Sequence, residues 1–130
     1  MEAKLNACKV GFIILHYNDI ETTKKCIDSI QCLEQIQDSK ILIVDNHSPN
    51  NSGAELKKQY AGIENIEILL LEDNYGYSRA NNIGYAYLKK SENFDYIVVA
   101  NNDIIFEQRN LISILEEKYR EAGFYVAGPN

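Results

Sequence analysis

Continuous apolar runs alternate with helical patterns along this sequence, and this alternation constrains the fold more than any other feature. The runs lack the period-two pattern of a half-buried strand, and they cover residues 9–15, 40–45, 66–72, 96–101 and 124–128. Unbroken runs of this length, rich in β-branched, aliphatic and aromatic residues, are typical of strands covered on both faces of a parallel sheet. The sequence therefore predicts buried, parallel strands at all of these positions.

Helical patterns fill the segments between the predicted strands. Helices are predicted after Asn18, at residues 52–60, from Ser78 to Lys90, and at residues 110–123. Asn18 and Glu21 form a capping-box pattern before the first helix, and Gly123 is placed as the C-cap of the last. Strict alternation of strand and helix implies right-handed crossovers. We therefore expect an α/β fold, a Rossmann-like, mostly parallel sheet with helices on both faces.

Length and composition indicate one folded domain. The chain has 130 residues, of which 45% are hydrophobic and 25% charged, as in ordinary globular proteins. Its formal net charge of -6 argues against nucleic acid and anionic membrane surfaces as general partners, because both repel an acidic protein. We expect a single domain over residues 1–130 that binds any phosphate through local groups.

Cysteine usage and the N-terminal sequence indicate a cytoplasmic protein. Cys8, Cys26 and Cys32 are odd in number and lack C-x-x-C spacing, which argues against a disulfide framework or a zinc site and favours reduced thiols. The first apolar run has only about six residues, too short for a membrane span, and no small-residue cleavage site accompanies it. The sequence thus predicts neither a signal peptide nor a transmembrane segment.

Polar residues follow each of the first four apolar runs. The sequence reads HYND after the first, DNHSPNNSG after the second, EDNYGYS after the third and NND after the fourth. Ligands of open parallel sheets bind outside the carboxyl ends of the strands, where these segments would converge. Taken separately, the segments also fit plain loops, because Asn, Asp, Ser and Gly are common turn residues.

Several residues in these segments keep two interpretations. Asp45 fits either a ligand acceptor or a turn cap, and His16 fits the end of a strand better than a metal ligand. Tyr75 and Tyr77 fit either surface aromatics or a platform for a flat ring. Asn81, in the first turn of the third helix, also fits local capping.

The exit of the fourth strand is the segment least like a plain loop. Asn101, Asn102 and Asp103 lie between the apolar sequences YIVVA and IIF, so a buried carboxylate is expected, which is costly unless it is paired or coordinated. Mg²⁺ or Mn²⁺ takes one or two protein carboxylates and completes its shell with water and phosphate oxygens. The segment therefore favours a divalent cation at Asp103 and a ligand that carries a diphosphate.

Four segments resemble, in order and spacing, the nucleotide-sugar-binding half of family 2 glycosyltransferases of the GT-A fold. They are VGFIILHYN, ILIVDNHSPNNS, EDNYGYSRANNIGYAY and YIVVANND, and they cover nearly the whole chain. The likeness is closest to the bacterial branch that includes rhamnosyltransferase-like enzymes of polysaccharide assembly. Each segment is moderately specific, but four in the correct order make a strong signal.

The resemblance implies roles for the residues after the first two strands. Tyr17 and Asn18 would line the base pocket. Asp45 would accept hydrogen bonds from the base or the ribose, a role that suits an ionised acceptor facing N–H or O–H donors.

The resemblance also covers the exit of the third strand. Asn74, Gly76 and Asn81 match the family's N-x-G…N pattern, in which the glycine lets the backbone approach the nucleotide and the next helix presents its N-terminus. Arg79 lies within this segment without a secure match to a family position, and it fits either a phosphate contact or a solvent-exposed side chain.

At the fourth strand, the resemblance places Asn101, Asn102 and Asp103 on the family's D-x-D motif. Asn101 replaces the first aspartate, which leaves Asp103 as the metal ligand and Asn102 beside the nucleotide-sugar. Because one carboxylate remains instead of two, we expect weak binding of Mg²⁺ or Mn²⁺ in the absence of nucleotide.

The family reaction inverts the anomeric centre. An acceptor hydroxyl, deprotonated by a carboxylate base, would attack the sugar while the metal offsets charge on the departing nucleoside diphosphate. In the family this base belongs to the acceptor-binding half, so we expect it beyond residue 130 and the present chain to be truncated before that half. The donor would be a nucleotide-diphospho-sugar and the acceptor a glycan or a lipid-linked molecule. Any peripheral membrane association would come through the part beyond this chain.

Three other function classes compete with this one. A non-catalytic nucleotide-binding module that lacks the acceptor half fits the same residues, and the absence of donor hydrolysis would distinguish it. A dinucleotide-dependent oxidoreductase is disfavoured, because LHYNDIE after the first strand contains no glycine and thus no G-x-G-x-x-G cradle. A pure scaffold would have little use for four polar strand exits.

Overall fold

The structure is a computed structural model that describes residues 8–123. Its strands are β1 (Val10–His16), β2 (Lys40–Asp45), β3 (Ile66–Leu70) and β4 (Tyr96–Asn101). Its α-helices are α1 (Ile20–Gln31), α2 (Ser52–Gln59), α3 (Tyr77–Ser91) and α4 (Leu111–Ala122), and a short 3-10 helix (Ile36–Asp38) precedes β2. The strand predicted at residues 124–128 lies outside the described residues. Within residues 8–123, no helix is both long enough and apolar enough to cross a bilayer.

The four strands form one parallel sheet in the order β3-β2-β1-β4. β1 pairs with β2 on one side and with β4 on the other, and β3 pairs with β2. The predicted Rossmann-like α/β fold is confirmed. Because the chain first moves outward from β1 to β3 and then returns past β1 to β4, the topology reverses at β1. In open α/β sheets the crevice at such a reversal is the usual position of the ligand.

Alternate residues of β1 enter two separate cores, one on each face of the sheet. On one face, Phe12 and Ile14 pack with buried side chains from α1, α2 and α4. On the other face, Ile13 packs with Ala80 and Leu88 of α3. Helices therefore cover both faces, as the sequence predicted.

Two glycines have structural roles in α3 and α4. Gly84 lets α3 lie close to the sheet, since a Cβ there would be 2.8 Å from Val44 Cγ2 and 3.2 Å from Ile13 Cγ2. Gly123 ends α4 in the left-handed region, with φ of 60°, and its N–H donates to Tyr119 O at 2.8 Å. The predicted C-cap is therefore confirmed.

Two predictions about local structure are wrong. Among the described residues, β3 and β4 form the edges of the four-stranded sheet, and neither is buried on both faces; Val99 of β4 is 49% exposed. The cap of α1 is Asp19 and not Asn18, since the Asp19 side chain accepts hydrogen bonds from Thr22 N at 3.2 Å and Thr22 Oγ1 at 2.7 Å. Asn18 instead has a left-handed φ of 63° in the loop before the helix.

Candidate functional site

The carboxyl ends of β2, β1 and β4 lie side by side at one edge of the sheet. In the strand register, His16 is paired with Asp45 and Leu15 with Asn101. Neighbouring strands are about 4.8 Å apart, so about 10 Å separates Asp45 from Asn101 across β1. The predicted site residues of these strands therefore share the edge at which the topology reverses.

Asp45 is nearly buried and is held in one position by its neighbours. Its Oδ1 accepts hydrogen bonds from Ser48 N at 3.2 Å and from Ser48 Oγ at 2.5 Å. Its Oδ2 lies against Gly53, where a Cβ would be only 2.1 Å away. Oδ2 accepts no hydrogen bond from any residue in the described part of the chain, so it is the oxygen left for a ligand.

The loop after β1 is tied to the loop after β2. Asn18 N donates to Ser48 Oγ at 2.9 Å, and Asn50 Nδ2 donates to Asn18 O at 2.8 Å. The Tyr17 side chain remains 45% exposed. An exposed aromatic ring on a fixed loop can stack on a flat ligand ring.

The loop after β3 is organised by two asparagines. Asn46 Oδ1 accepts from Tyr75 N at 2.9 Å, and Asn74 Oδ1 accepts from Gly76 N at 3.0 Å. Gly76 has φ of 83°, a conformation that favours glycine, and directly precedes α3. The guanidinium of Arg79 lies over the Tyr75 ring at 4.9 Å from the centroid.

Asn81 carries an unsatisfied polar atom. Within residues 8–123, its Oδ1 is the one buried side-chain nitrogen or oxygen without a hydrogen-bond partner, and the residue is only 8% exposed. Asn81 precedes Gly84 by about one helical turn, so it lies on the sheet-facing side of α3, closer to the carboxyl edge. Buried polar atoms are rarely left unpaired in folded proteins, which makes this oxygen a candidate ligand contact.

The exit of β4 is exposed, and the prediction that Asp103 is buried is wrong. Ile104 N donates to Asn101 O at 3.2 Å, which closes a turn over residues 101–104, and Asp103 is exposed on that turn. Of the apolar sequence IIF, only Phe106 packs against the core, while the two isoleucines are exposed. The turn directs the carboxylate into solvent, so its burial cannot be the reason for a cation here.

His16 ends β1, as the sequence predicted, and both of its ring nitrogens are engaged within the protein. Nδ1 lies 2.6 Å from Thr23 Oγ1, and Nε2 lies 2.8 Å from Ser52 Oγ. Burial lowers the pKa of His16, while the negative charges of Asp45 and Asp19 act in the opposite direction. The ring is therefore neutral near pH 7 and is not available as a metal ligand.

The donor set at the β4 exit fits a cation only together with a phosphate ligand. Within residues 8–123, no group of three or more His, Cys, Asp or Glu side chains is placed to hold a metal ion. Asp103 and the Asn102 amide oxygen could supply two oxygen ligands, and Mg²⁺ or Mn²⁺ commonly takes its other ligands from water and phosphates. Burial, followed by the charge of Asp103, raises the pKa of the nearby Cys26 thiol to about 12, so this thiol stays protonated near pH 7.

The sequence alone did not identify the residues that support this edge. Ser48 connects two loops, Gly53 makes room for Asp45, and Thr23 and Ser52 hold His16. Only Gly53 left a local signal, as a glycine at the start of a predicted helix.

A sequence model described as glycosyl transferase family 2 matches residues 12–129. The chain belongs to this family. The resemblance found in the sequence is thus confirmed at the level of the family, and the matched range includes every predicted site residue from Tyr17 to Asp103. Membership of the rhamnosyltransferase-like branch stays a prediction.

Solved structures of glycosyltransferases share the fold. S. aureus TarS gives a TM-score of 0.69 at 16% identity, over 87% of this chain and 20% of TarS. S. aureus TarS 1-349 in complex with UDP-GlcNAc gives 0.67 at 17% identity, over 87% of this chain and 31% of the other. The mannosyltransferase PcManGT from Pyrobaculum calidifontis, in complex with GDP-Man and Mn²⁺, gives a TM-score of 0.65 at 14% identity. The match covers 77% of this chain and 29% of PcManGT.

This likeness establishes the GT-A arrangement of the described residues. The chain spans less than a third of the length of each of these proteins. No curated protein sequence matches it.

Proposed function

We propose that residues 1–130 form the donor-binding domain of an inverting glycosyltransferase that binds a nucleotide-diphospho-sugar. The observation that carries the proposal is the strand register, which pairs His16 with Asp45 and Leu15 with Asn101. Two of the family's motifs thereby flank β1 at the topological reversal, about 10 Å apart. A ligand with a nucleoside at one end and a diphosphate at the other suits that separation.

The nucleoside would bind on the β2 side of β1. Asp45 offers an oxygen that no described residue occupies, and Tyr17 offers an exposed ring beside Asn18. Asn74 and Gly76 shape the loop before α3. The unpaired oxygen of Asn81 would accept a hydrogen bond from the nucleotide and so remove the cost of its burial.

The diphosphate would bind on the β4 side. Asp103 and Asn102 would hold Mg²⁺ or Mn²⁺ jointly with the phosphate oxygens. When bound, such a cation supplies positive charge that stabilises the departing nucleoside diphosphate. The presence of Mn²⁺ with GDP-Man in PcManGT supports a divalent metal in this fold.

Transfer itself needs groups that we place beyond residue 130. There we propose the carboxylate base and the acceptor-binding half, with a glycan or lipid-linked acceptor of polysaccharide synthesis. The enzyme would act in the cytoplasm and contact the membrane, if at all, through that part. We therefore expect residues 1–130 by themselves to bind donor without robust transfer to an acceptor, and robust transfer would contradict this division.

The test is calorimetric titration of the chain with UDP, dTDP and GDP, each with and without Mn²⁺. We expect one nucleotide to bind more tightly when Mn²⁺ is present, and Mn²⁺ alone to bind weakly because one carboxylate replaces two. A nucleotide affinity that is the same with and without Mn²⁺ would contradict the proposed metal site. The absence of binding for all three nucleotides would contradict the donor site.

A non-catalytic nucleotide-binding module is the second candidate, and the exposed position of Asp103 is compatible with it. Slow donor hydrolysis separates the two functions, because departure of the nucleoside diphosphate with a metal bound needs no acceptor half, and water can then take the place of the acceptor. Nucleotide-sugar that binds and is slowly hydrolysed would favour the transferase. Donor that binds and stays intact would favour the module.

A further inference from the structure

A chain of hydrogen bonds connects the turn after β4 with the first residue of α2. Asn102 Nδ2 donates to Thr23 Oγ1 at 3.0 Å, Thr23 Oγ1 lies 2.6 Å from His16 Nδ1, and His16 Nε2 lies 2.8 Å from Ser52 Oγ. Thr23 and His16 have no exposed surface, and Ser52 has almost none. The exposed turn is therefore tied to buried side chains on three other elements.

The Asn102 contact assigns a direction to the hydrogen bonds along this chain. A threonine hydroxyl has one hydrogen to donate, and the Asn102 amide already donates to its oxygen. His16 Nδ1 is the acceptor that the described residues offer to this hydrogen, so we assign the Thr23 hydroxyl as its donor. His16 Nε2 then carries the ring hydrogen and donates to Ser52 Oγ. All three bonds run in the same direction, from Asn102 towards α2, with a neutral imidazole in the middle.

A second contact anchors the other end of the same segment. Phe106 N donates to Ser29 Oγ at 2.9 Å, and Ser29 Oγ donates to Cys26 O at 2.8 Å. Both anchors, Asn102 and Phe106, therefore bind to α1. Asp103 lies between them and forms no hydrogen bond or ion pair with any residue of the described part of the chain, so its neighbours determine where it lies.

We propose that His16 and Thr23 are positioning residues for the metal and diphosphate side of the site: through Asn102 they fix the turn over residues 101–104 before any ligand binds. The inference rests on the proposed donor-binding function. Because Thr23 engages Asn102 Nδ2, the amide keeps its oxygen available as a ligand atom beside the Asp103 carboxylate. A turn that is already ordered does not lose conformational freedom when the metal and diphosphate bind.

The first test compares Thr23→Val, which removes the hydroxyl but keeps the branched shape, with Thr23→Ser, which keeps the hydroxyl. Each variant is titrated with UDP, dTDP and GDP, with and without Mn²⁺. We expect Thr23→Val to lose about tenfold in affinity with Mn²⁺ and to stay within about twofold without it, whereas Thr23→Ser keeps wild-type values. A purely structural role would lower both affinities equally, and that result, or no loss at all, would overturn the proposal.

A second test reads the turn without nucleotide. Nitrogen-15 NMR of the wild-type protein should show His16 as the Nε2–H tautomer, and the Asn102 side-chain amide signals should shift in Thr23→Val and in Ser52→Ala but not in Thr23→Ser. An Nδ1–H tautomer, or unchanged Asn102 signals in both variants, would overturn the positioning role. If these NMR results are obtained while the wild type binds no nucleotide, the proposed donor site is wrong, but the ordering of the turn over residues 101–104 through Thr23 is still correct.

Discussion

The Asp45 carboxylate lies directly against the Cα atom of Gly53, so that a Cβ on residue 53 would be 2.1 Å from Asp45 Oδ2. Gly53→Ala must therefore displace Asp45 or the start of α2. We expect the variant to lose about 1–3 kcal/mol in free energy of unfolding and to bind nucleotide more weakly, because Asp45 moves. Urea unfolding and calorimetry measure the two effects. Gly62→Ala is the matched control, since a Cβ there would meet no atom within 4 Å. Wild-type stability and affinity in Gly53→Ala would contradict the contact.

Asp103→Asn separates metal binding from folding. Asp103 is exposed, so its loss should change the free energy of unfolding by less than about 0.5 kcal/mol. We expect Mn²⁺ to stop improving nucleotide affinity in this variant. Asp38→Asn, an exposed change of the same type before β2, controls for net charge. Unchanged Mn²⁺ dependence in Asp103→Asn would remove Asp103 from the metal site.

Asn81→Ala should change stability and binding in opposite directions. The buried Oδ1 has no partner among the described residues, and such an atom costs about 1–3 kcal/mol. We therefore expect the variant, without ligand, to unfold at a temperature equal to or above that of the wild type. Its nucleotide affinity should fall about tenfold, as expected for one lost hydrogen bond.

Asn82→Ala is the control for Asn81→Ala. Asn82 is exposed in the same helical turn, so its replacement should add about 0.5 kcal/mol or less through helix propensity and leave affinity unchanged. An Asn81→Ala protein that is less stable yet binds normally would make Asn81 a structural residue.

Stability should decrease in mildly acidic solution because of His16. Burial holds its pKa in the folded chain below the usual 6.5, with partial opposition from Asp45 and Asp19. Below pH 6.5, His16 binds a proton in the unfolded chain but not in the folded chain. The free energy of unfolding therefore falls as the pH decreases, and it stops falling once the pH is below the pKa of His16 in the folded chain. Above about pH 7 the contribution is complete.

Urea unfolding at several pH values between about 7.5 and 5.5 measures this effect, which lies within the ordinary titration range of histidine. His47→Asn is the useful background, because the chain has only two histidines and Asn tolerates the φ of 64° at position 47. A free energy of unfolding that is constant or rises towards acid in this background would contradict a buried, neutral His16.

Much of the fold could be predicted from the sequence because its strongest signals are local. Unbroken apolar runs identified the strands, and Gly123 marked the end of α4. The exposure of Val99 could not be predicted, because it depends on which strand lies at the edge of the sheet. Strand order follows from packing between distant segments, and a single apolar run carries no information about it.

The sequence predicted the residues expected to contact the ligand, but not the residues that hold them in position. Asp45 and Asp103 could be found because they lie at or just beyond the carboxyl ends of apolar runs. The exposure of Asp103 was missed because the following apolar sequence IIF suggests burial. In the structure, the turn over residues 101–104 directs the carboxylate into solvent. Ser48 and Thr23 were missed because each also binds a distant residue, Asn18 for Ser48 and Asn102 for Thr23, at a separation in the sequence that no local pattern encodes.

The Ser48 hydroxyl donates to Asp45 Oδ1 and accepts from Asn18 N, so one oxygen fastens the loops after β1 and β2 to each other. These loops therefore form a single mechanical unit. Replacing the loop after β2 with one that lacks this serine would leave the Asn18 amide without its partner, and replacing the loop after β1 with one of another shape would take that amide away from Ser48. Attempts to alter ligand preference by loop grafting should accordingly transplant residues 17–19 and 45–52 together.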